Sequence, residues 1–364
     1  AATTVILRDL TVYTLLADVY RGVPSAYVDF VGYDEVAHHS GISAPDALET
    51  LWRLDQQLAR LERAIHEAPR PYHVVVLSDH GQTQGSTFLQ RYGQTLGEFT
   101  ESLLDGGEVD QPAFSTEGWG NLNGVLSDAI TDEDSRLGRV LARVVKPRTV
   151  DGEVVFGPGY RTAVEHDEPH DAIVLASGNL GLVSFPHMEG RVTLEQLGQR
   201  FPRFVQRLAE HPGVGFVMVR SEELGALVVG GHGIRHLADD SVVGVDPLAS
   251  FPSNTADHLR RTDSFTNCPD LLVNSFYDPD IDEGAAFEEL IGFHGGLGGK
   301  QAEPFVLHPA TFPVPDAPLV GAESIHHLFQ GWLATATGPE RPPAWEPPAE
   351  PAEHPVLPDG GRPG

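Results

Sequence analysis

Cys268 is the sole cysteine in 364 residues, so the chain can form no intramolecular disulfide and no cysteine-cage zinc site. Lysine is almost as scarce. Lys146 and Lys300 are the only two, and 22 arginines complete the basic set against 52 acidic residues, for a formal net charge of -28. Nucleic-acid backbones and anionic lipid surfaces both require a basic face. The charge therefore excludes nucleic acid as a general partner. Long apolar runs are missing too: the nearest, Ala172 to Met188, is interrupted by Ser177, Gly178 and Asn179. It falls short of the ~20 residues of a membrane-spanning helix. The opening AATTVILRDL has no basic segment leading into an apolar one, so no signal peptide is read there. It also lacks an initiating Met, and the chain contains no internal repeat.

The residues present suit a chain with a substantial core. Two short β-rich runs, Ala26 to Val31 and Val74 to Leu77, flank a helical pattern in which Ala47, Leu48, Leu51, Leu54, Leu58, Leu61 and Ile65 recur at three- and four-residue spacing. Ser43 is placed to cap that helix and Pro45 to open it. Strand, amphipathic helix and strand predict a right-handed βαβ unit in a parallel sheet buried on both faces. Further strands are expected at Ala172–Ala176, Gly181–Phe185, Gly215–Val219, Ala226–Val229 and Leu271–Asn274. Helices are expected at Asp132–Val145, Thr193–Glu210 and Ser324–Ala334. The fold class is α/β, with a mostly parallel central sheet and helices on both faces, over residues 1–337. From Gly338 to Gly364, nine of 27 residues are proline, which predicts an extended or disordered tail.

Chemistry-bearing residues collect in three places. Ser78-Asp79-His80-Gly81 follows the run VVVL, where Gly81 permits a turn that lets Asp79 and His80 converge. Asp34 and His38, in GYDEVAHHSG, are four apart, and one helical turn puts them on one side. Carboxylate and imidazole are both zinc ligand types, and the exits of parallel strands are where ligands bind. Glu35 and His39 point elsewhere in any regular geometry. The third place, GFHGGLGGKQ, is not a P-loop, because His294 and Gln301 occupy positions that motif reserves for Gly and Ser/Thr. Its flanking glycines instead present His294 on a loop that can approach a metal or anion closely. His232, in GGHGIRHL, is a rival for that place. His166 and His170 bracket a helix-breaking Pro169, and His326 and His327 receive no role.

Asp34-x3-His38, Ser78-Asp79-His80-Gly81 and a distant His294-Gly-Gly, in that order, resemble the alkaline phosphatase superfamily, nearest its type I phosphodiesterase and nucleotide pyrophosphatase branch. The resemblance spans about residues 26 to 310. It implies an α/β sandwich and two divalent metal ions, zinc with manganese as the alternative. Asp34, His38 and His294 would ligate one ion, and Asp79 and His80 the other. It implies a small phosphate-ester substrate and a metal-dependent hydrolase of phosphoric esters. The alternatives are another branch of the superfamily, a phosphomutase or phosphomonoesterase, and a non-catalytic metal-binding remnant.

Two departures accompany it. Ala37 stands where the family often has Gly. The family's nucleophile, a Thr or Ser at a helix start well upstream of the Asp-x3-His element, is matched by no residue here; Asp9 and Thr11 are the sole nearby pair. The expectation is therefore a carboxyl-terminal portion, N-terminally incomplete, whose nucleophile comes from an upstream segment or a partner. Such upstream segments often export or tether family members, so the compartment stays open.

Overall fold

The computed structural model describes residues 3–104, 106–111, 149–150, 153–154 and 170–335. The expected helix at Asp132–Val145 and the proline-rich tail at 338–364 lie outside the described residues. The chain divides into two compact units, one comprising Ala1–Arg8, Phe30–Trp52 and Leu77–Val306, the other Asp9–Asp29, Arg53–Val76 and Leu307–Gly364.

The first strands are two-residue pieces, β1 (Val76–Leu77), β2 (Thr83–Gln84) and β3 (Val109–Asp110). β4 (Thr149–Val150) and β5 (Glu153–Val154) pair antiparallel. The longer strands follow: β6 (Ala172–Ser177), β7 (Leu180–Ser184), β8 (Val214–Ser221), β9 (Gly225–Gly230), β10 (Gly233–His236), β11 (Val242–Gly244) and β12 (Leu271–Ser275). Short pieces close the set: β13 (Tyr277–Asp278), β14 (Glu283–Gly284), β15 (Gly292–Phe293) and β16 (Val306–Leu307).

Eight of these form one sheet in the order β11-β10-β9-β8-β12-β7-β6-β3. The mixed α/β class and the five expected long strands hold. The sense of the sheet differs from the expectation: it is mostly antiparallel, and within it only β3 and β6 pair in parallel. Burial explains why the sequence suggested otherwise. Along β8, Val217 and Val219 join one core with Leu197, Phe204 and Leu208 from the helices Leu194–Arg200 and Phe204–Ala209. Their neighbours Phe216 and Met218 join a second core with Ala256 and Leu259 of the helix Thr255–Asp263. Both faces are covered by helices, as expected, and a strand buried on both faces reads as a continuous apolar run whatever its direction. Connection length does report direction. Ser177 and Leu180 are register partners across a two-residue turn, as are Gly230 and Gly233, whereas a parallel pair needs a crossover of a dozen residues or more.

Two other expectations change. Residues 26–30 form no strand, so the βαβ unit is absent among the described residues; the chain enters the helix Gly32–Ser40 directly, and Tyr27 is exposed. β propensity without a ladder partner does not make a strand. The single helix expected over Thr193–Glu210 is two, because Pro202 restricts Phe201 and Arg203 turns left-handed at φ 64°. Thr193 closes a capping box with Gln196 at the start of the first.

In the second unit, Val19, Ala64 and Ile65 pack with Leu16, Leu61, Tyr72 and Val74. Trp332, on the helix Gly321–Thr335, stacks on Phe329 and donates its indole N–H to the Pro313 carbonyl at 2.7 Å. His326 and His327 lie on that helix. Pro45, in the first unit, opens the helix Pro45–His66, with Asp46 in its first turn on the favourable side of the helix dipole.

Candidate metal centre

Three segments of one unit carry the candidate ligands. The first is the helix Gly32–Ser40, which closes where the Gly41 N–H bonds the Ala37 carbonyl with Gly41 at φ 99°. It turns Asp34 and His38 to one side, with Asp34 Oδ2 3.1 Å from His38 Nε2. The second is the stretch after β1, carrying Asp79, His80 and Gln82 into β2. The third is β15, which pairs antiparallel with β2 so that Phe293 faces Thr83 and Gly292 faces Gln84. That register delivers His294 beside the segment holding His80 and Gln82. Two glycines permit the approach: a Cβ on Gly81 would lie 2.1 Å from the Lys300 carbonyl oxygen, and one on Gly292 would lie 2.5 Å from that of Ala37.

His38 is 3% exposed, and its Nδ1 lies 2.7 Å from the Gly292 carbonyl oxygen. A carbonyl can only accept, so this Nδ1 carries a proton and Nε2 is the nitrogen turned to Asp34. An imine lone pair facing a carboxylate oxygen needs a cation with them, either a second ring proton or a metal ion. His80 is held in the same manner, with Nδ1 3.0 Å from the Gly81 carbonyl oxygen. Backbone carbonyls that fix the far ring nitrogen are a common support for metal-binding histidines. His294 Nε2 stands 3.6 Å from Asp34 Oδ1, and its ring stacks on that of His80 with centroids 3.6 Å apart. One ligand atom each from Asp34, His80 and His294 fall within 4.8 Å of one another. This donor set of one carboxylate and two imidazoles fits a divalent metal.

Asp34 is where the electrostatics concentrate. Burial alone would raise its pKa, but the imidazoles of His294 and His38, through hydrogen bonding and charge, outweigh burial and hold the carboxyl well below the usual range. The Gln82 amide N–H donates to Asp34 Oδ1, while Gln82 Oε1 is buried with no hydrogen-bond partner among the described residues.

The other expected residues fall at different distances from this group. Asp79 is 83% exposed, with Oδ1 accepting from the His80 N–H and Oδ2 3.4 Å from His80 Nε2, at the outer side of the cluster. The sequence reading divided Asp34, His38 and His294 from Asp79 and His80; the geometry gathers His80 with Asp34 and His294. Glu35 and His39 pair with each other at 3.7 Å, apart from the set. His232 sits exposed in the turn between β9 and β10. The sequence reading missed Gln82 and the Gly292 carbonyl. Gln82 was visible two residues beyond His80, but a neutral amide carries no signature as a metal-site residue.

A mixed α/β chain that gathers one Asp and several His in this manner falls among proteins able to hold a divalent metal ion. Residues 24–153 match the family model for type I phosphodiesterase / nucleotide pyrophosphatase, and this family is part of the alkaline phosphatase superfamily. It is a family of metal-dependent hydrolases of phosphoric esters. The matched segment contains Asp34, His38, Asp79 and His80; His294 lies beyond it. No curated protein and no solved structure matches the chain. Among the described residues, no helix is long and apolar enough to cross a membrane.

Proposed function

We propose that the chain is a metal-dependent hydrolase of phosphoric esters, of the phosphodiesterase or nucleotide pyrophosphatase type, and that Asp34, His38, His80 and His294 hold its metal, with Asp79 at the rim completing a second ion's site. The observation that carries the reading is the approach of Asp34, His80 and His294 within 4.8 Å, assembled from segments 46 and 214 residues apart in sequence. Divalent ions bound there, zinc or manganese, would neutralise charge on the phosphate oxygens and lower the pKa of the attacking hydroxyl. The residues themselves do the positioning. Asp34 supplies the negative charge, Gln82 steadies its carboxylate, and the Gly292 and Gly81 carbonyls orient the His38 and His80 rings. No residue of the chain is assigned the role of nucleophile. The substrate is a small phosphate ester that must approach a protein of net charge -28, so local attraction depends on the bound cations.

Metal analysis tests this reading. After incubation with zinc and dialysis, the chain retains one or two ions, and Asp34→Ala and His80→Ala each lose at least one. Zinc retention unchanged by both substitutions would overturn it. A second reading, a phosphomutase of the same superfamily, is favoured by one observation: seven strands of the large sheet, from 172 to 275, lie between His80 and His294, where mutases commonly carry an inserted domain. Faster turnover of phosphoglycerate than of bis-p-nitrophenyl phosphate would select it.

A further inference from the structure

The turn between β6 and β7 breaks an ordinary rule of hairpins. Hairpin tips lie on the surface because their backbone polar groups need water. This tip, Gly178-Asn179, is buried: Asn179 is 1% exposed. Its backbone groups find partners inside the fold, the Gly178 N–H on the Glu288 carboxylate and the Gly178 and Asn179 carbonyls on the Phe287 and Ser275 N–H groups, while the Asn179 side chain is satisfied by the loop that carries His294. The Gly296 N–H donates to Asn179 Oδ1 at 3.1 Å, and the Asn179 amide donates to the Leu297 carbonyl at 3.0 Å.

A second asparagine does the same from β12. Asn274 is 0% exposed, in a strand buried along its whole length. Its Oδ1 accepts from the Leu297 N–H at 2.8 Å, and its Nδ2 donates to the Leu297 carbonyl at 2.9 Å and to the Ser275 carbonyl at 2.9 Å. The two amides are joined through the sheet, since the Ser275 N–H bonds the Asn179 carbonyl at 3.0 Å.

The backbone between His294 and these contacts is equally constrained. Gly178, left-handed at φ 54°, lies so close that a Cβ there would be 1.7 Å from the His294 carbonyl oxygen. Gly295, at φ 114°, passes so near the Ser177 carbonyl oxygen that a Cβ would be 2.6 Å from it. Only glycine fits either place. A flexible glycine-rich loop is thereby held at fixed depth within three residues of His294. An apolar residue at 179 or 274 would pack in the core; an asparagine has a use there only because the loop's amide and carbonyl groups need partners.

We infer that Asn179 and Asn274 are positioning residues for His294: the large sheet sets the imidazole against Asp34 and His80 through these two amides, and metal affinity depends on them. This rests on the metal reading above and names a device that reading does not contain. Both amides hold the loop at Gly296 and Leu297, not the imidazole itself, and the loss on removing them is scaled on that for outer partners of a metal ligand, about 10- to 100-fold in affinity.

The test measures zinc affinity by competition with a chromophoric chelator, together with melting in EDTA, for the wild type, Asn179→Ala, Asn274→Ala and the milder Asn179→Ser. Leu208→Ala, in the helix Phe204–Ala209, serves as a destabilised control from the core that covers the same sheet. The expected result is a drop of about 10- to 100-fold in zinc affinity for the asparagine variants, with Asn179→Ser intermediate and Leu208→Ala binding zinc as the wild type does despite its lower melting temperature. Asparagine variants that bind zinc with wild-type affinity, or a Leu208→Ala that loses as much as they do, would overturn the inference while leaving the metal reading intact. Wild-type protein that takes up no zinc would overturn both. Should the alanine variants fail to fold, Asn179→Ser against Leu208→Ala decides by the same criterion.

Discussion

Asp34 meets opposed demands, burial that favours its neutral form and two imidazoles that favour its charged form, and the imidazoles win. The sign of the consequence follows from linkage. A carboxyl whose pKa is depressed on folding stabilises the native state above its unfolded value of about 3.9 and withdraws that support as pH falls toward the folded value. In metal-free protein, Asp34→Asn should therefore show a shallower loss of stability below about pH 4 than the wild type, by up to about 1.4 kcal/mol per pH unit. Urea unfolding midpoints measured between pH 5 and 2.5 check this; parallel acid limbs would contradict it. At this scale the sequence was informative where chemistry has a signature. Residue type, spacing and neighbouring glycines single out Asp34, His38, Asp79, His80 and His294 as candidates, of which the fold gathers Asp34, His80 and His294 within 4.8 Å. Gln82, Asn179 and Asn274 carry no such mark, because an amide's role depends on which group it meets, and that is settled by folding.

Elements were legible in proportion to how much of their pattern is local. The helix Pro45–His66 and strands β6 to β9 and β12 lie close to where their apolar periodicity and turns placed them. The run at 26–31 has the propensity of a strand but no ladder partner, and a strand is defined by its ladder. Continuous apolar runs report burial of two faces and not the direction of the large sheet, which the short turns at Gly178-Asn179 and Gly231-His232 report instead. One polar residue ties several of these elements together. Asp270, buried just before β12, accepts from the Phe185 and Val192 N–H groups at 2.7 Å each. Asp270→Ala leaves both amides without that acceptor and should cost about 2–5 kcal/mol, the range for removing a buried, hydrogen-bonded charge and orphaning its partners. Chemical denaturation measures it, and a loss under about 0.5 kcal/mol, the scale of an ordinary surface substitution, would contradict the assignment.

For the molecule as a whole, the candidate centre is assembled over long sequence distances, and the eight-stranded sheet contributes to it without supplying a ligand. That sheet is closed by antiparallel hairpins, yet it ends in a buried tip that grips the His294 loop. The family match covers residues 24–153, a segment that contains the Asp34-x3-His38 and Asp79-His80 elements; the position of His294 follows from the register of β15 on β2 and from the loop's hold on the sheet. Charge and composition also take on a more definite meaning. A net charge of -28 leaves bound cations as the natural attraction for a phosphate ester, and the single cysteine makes the ligand chemistry open to a direct test. X-ray absorption at the zinc edge of the metal-loaded protein reads that chemistry. The account predicts a first shell of nitrogen and oxygen at about 2.0–2.1 Å with the multiple-scattering pattern of two or more imidazoles; a sulfur neighbour at about 2.3 Å, which only Cys268 or a methionine could supply, or a shell without imidazole, would contradict it.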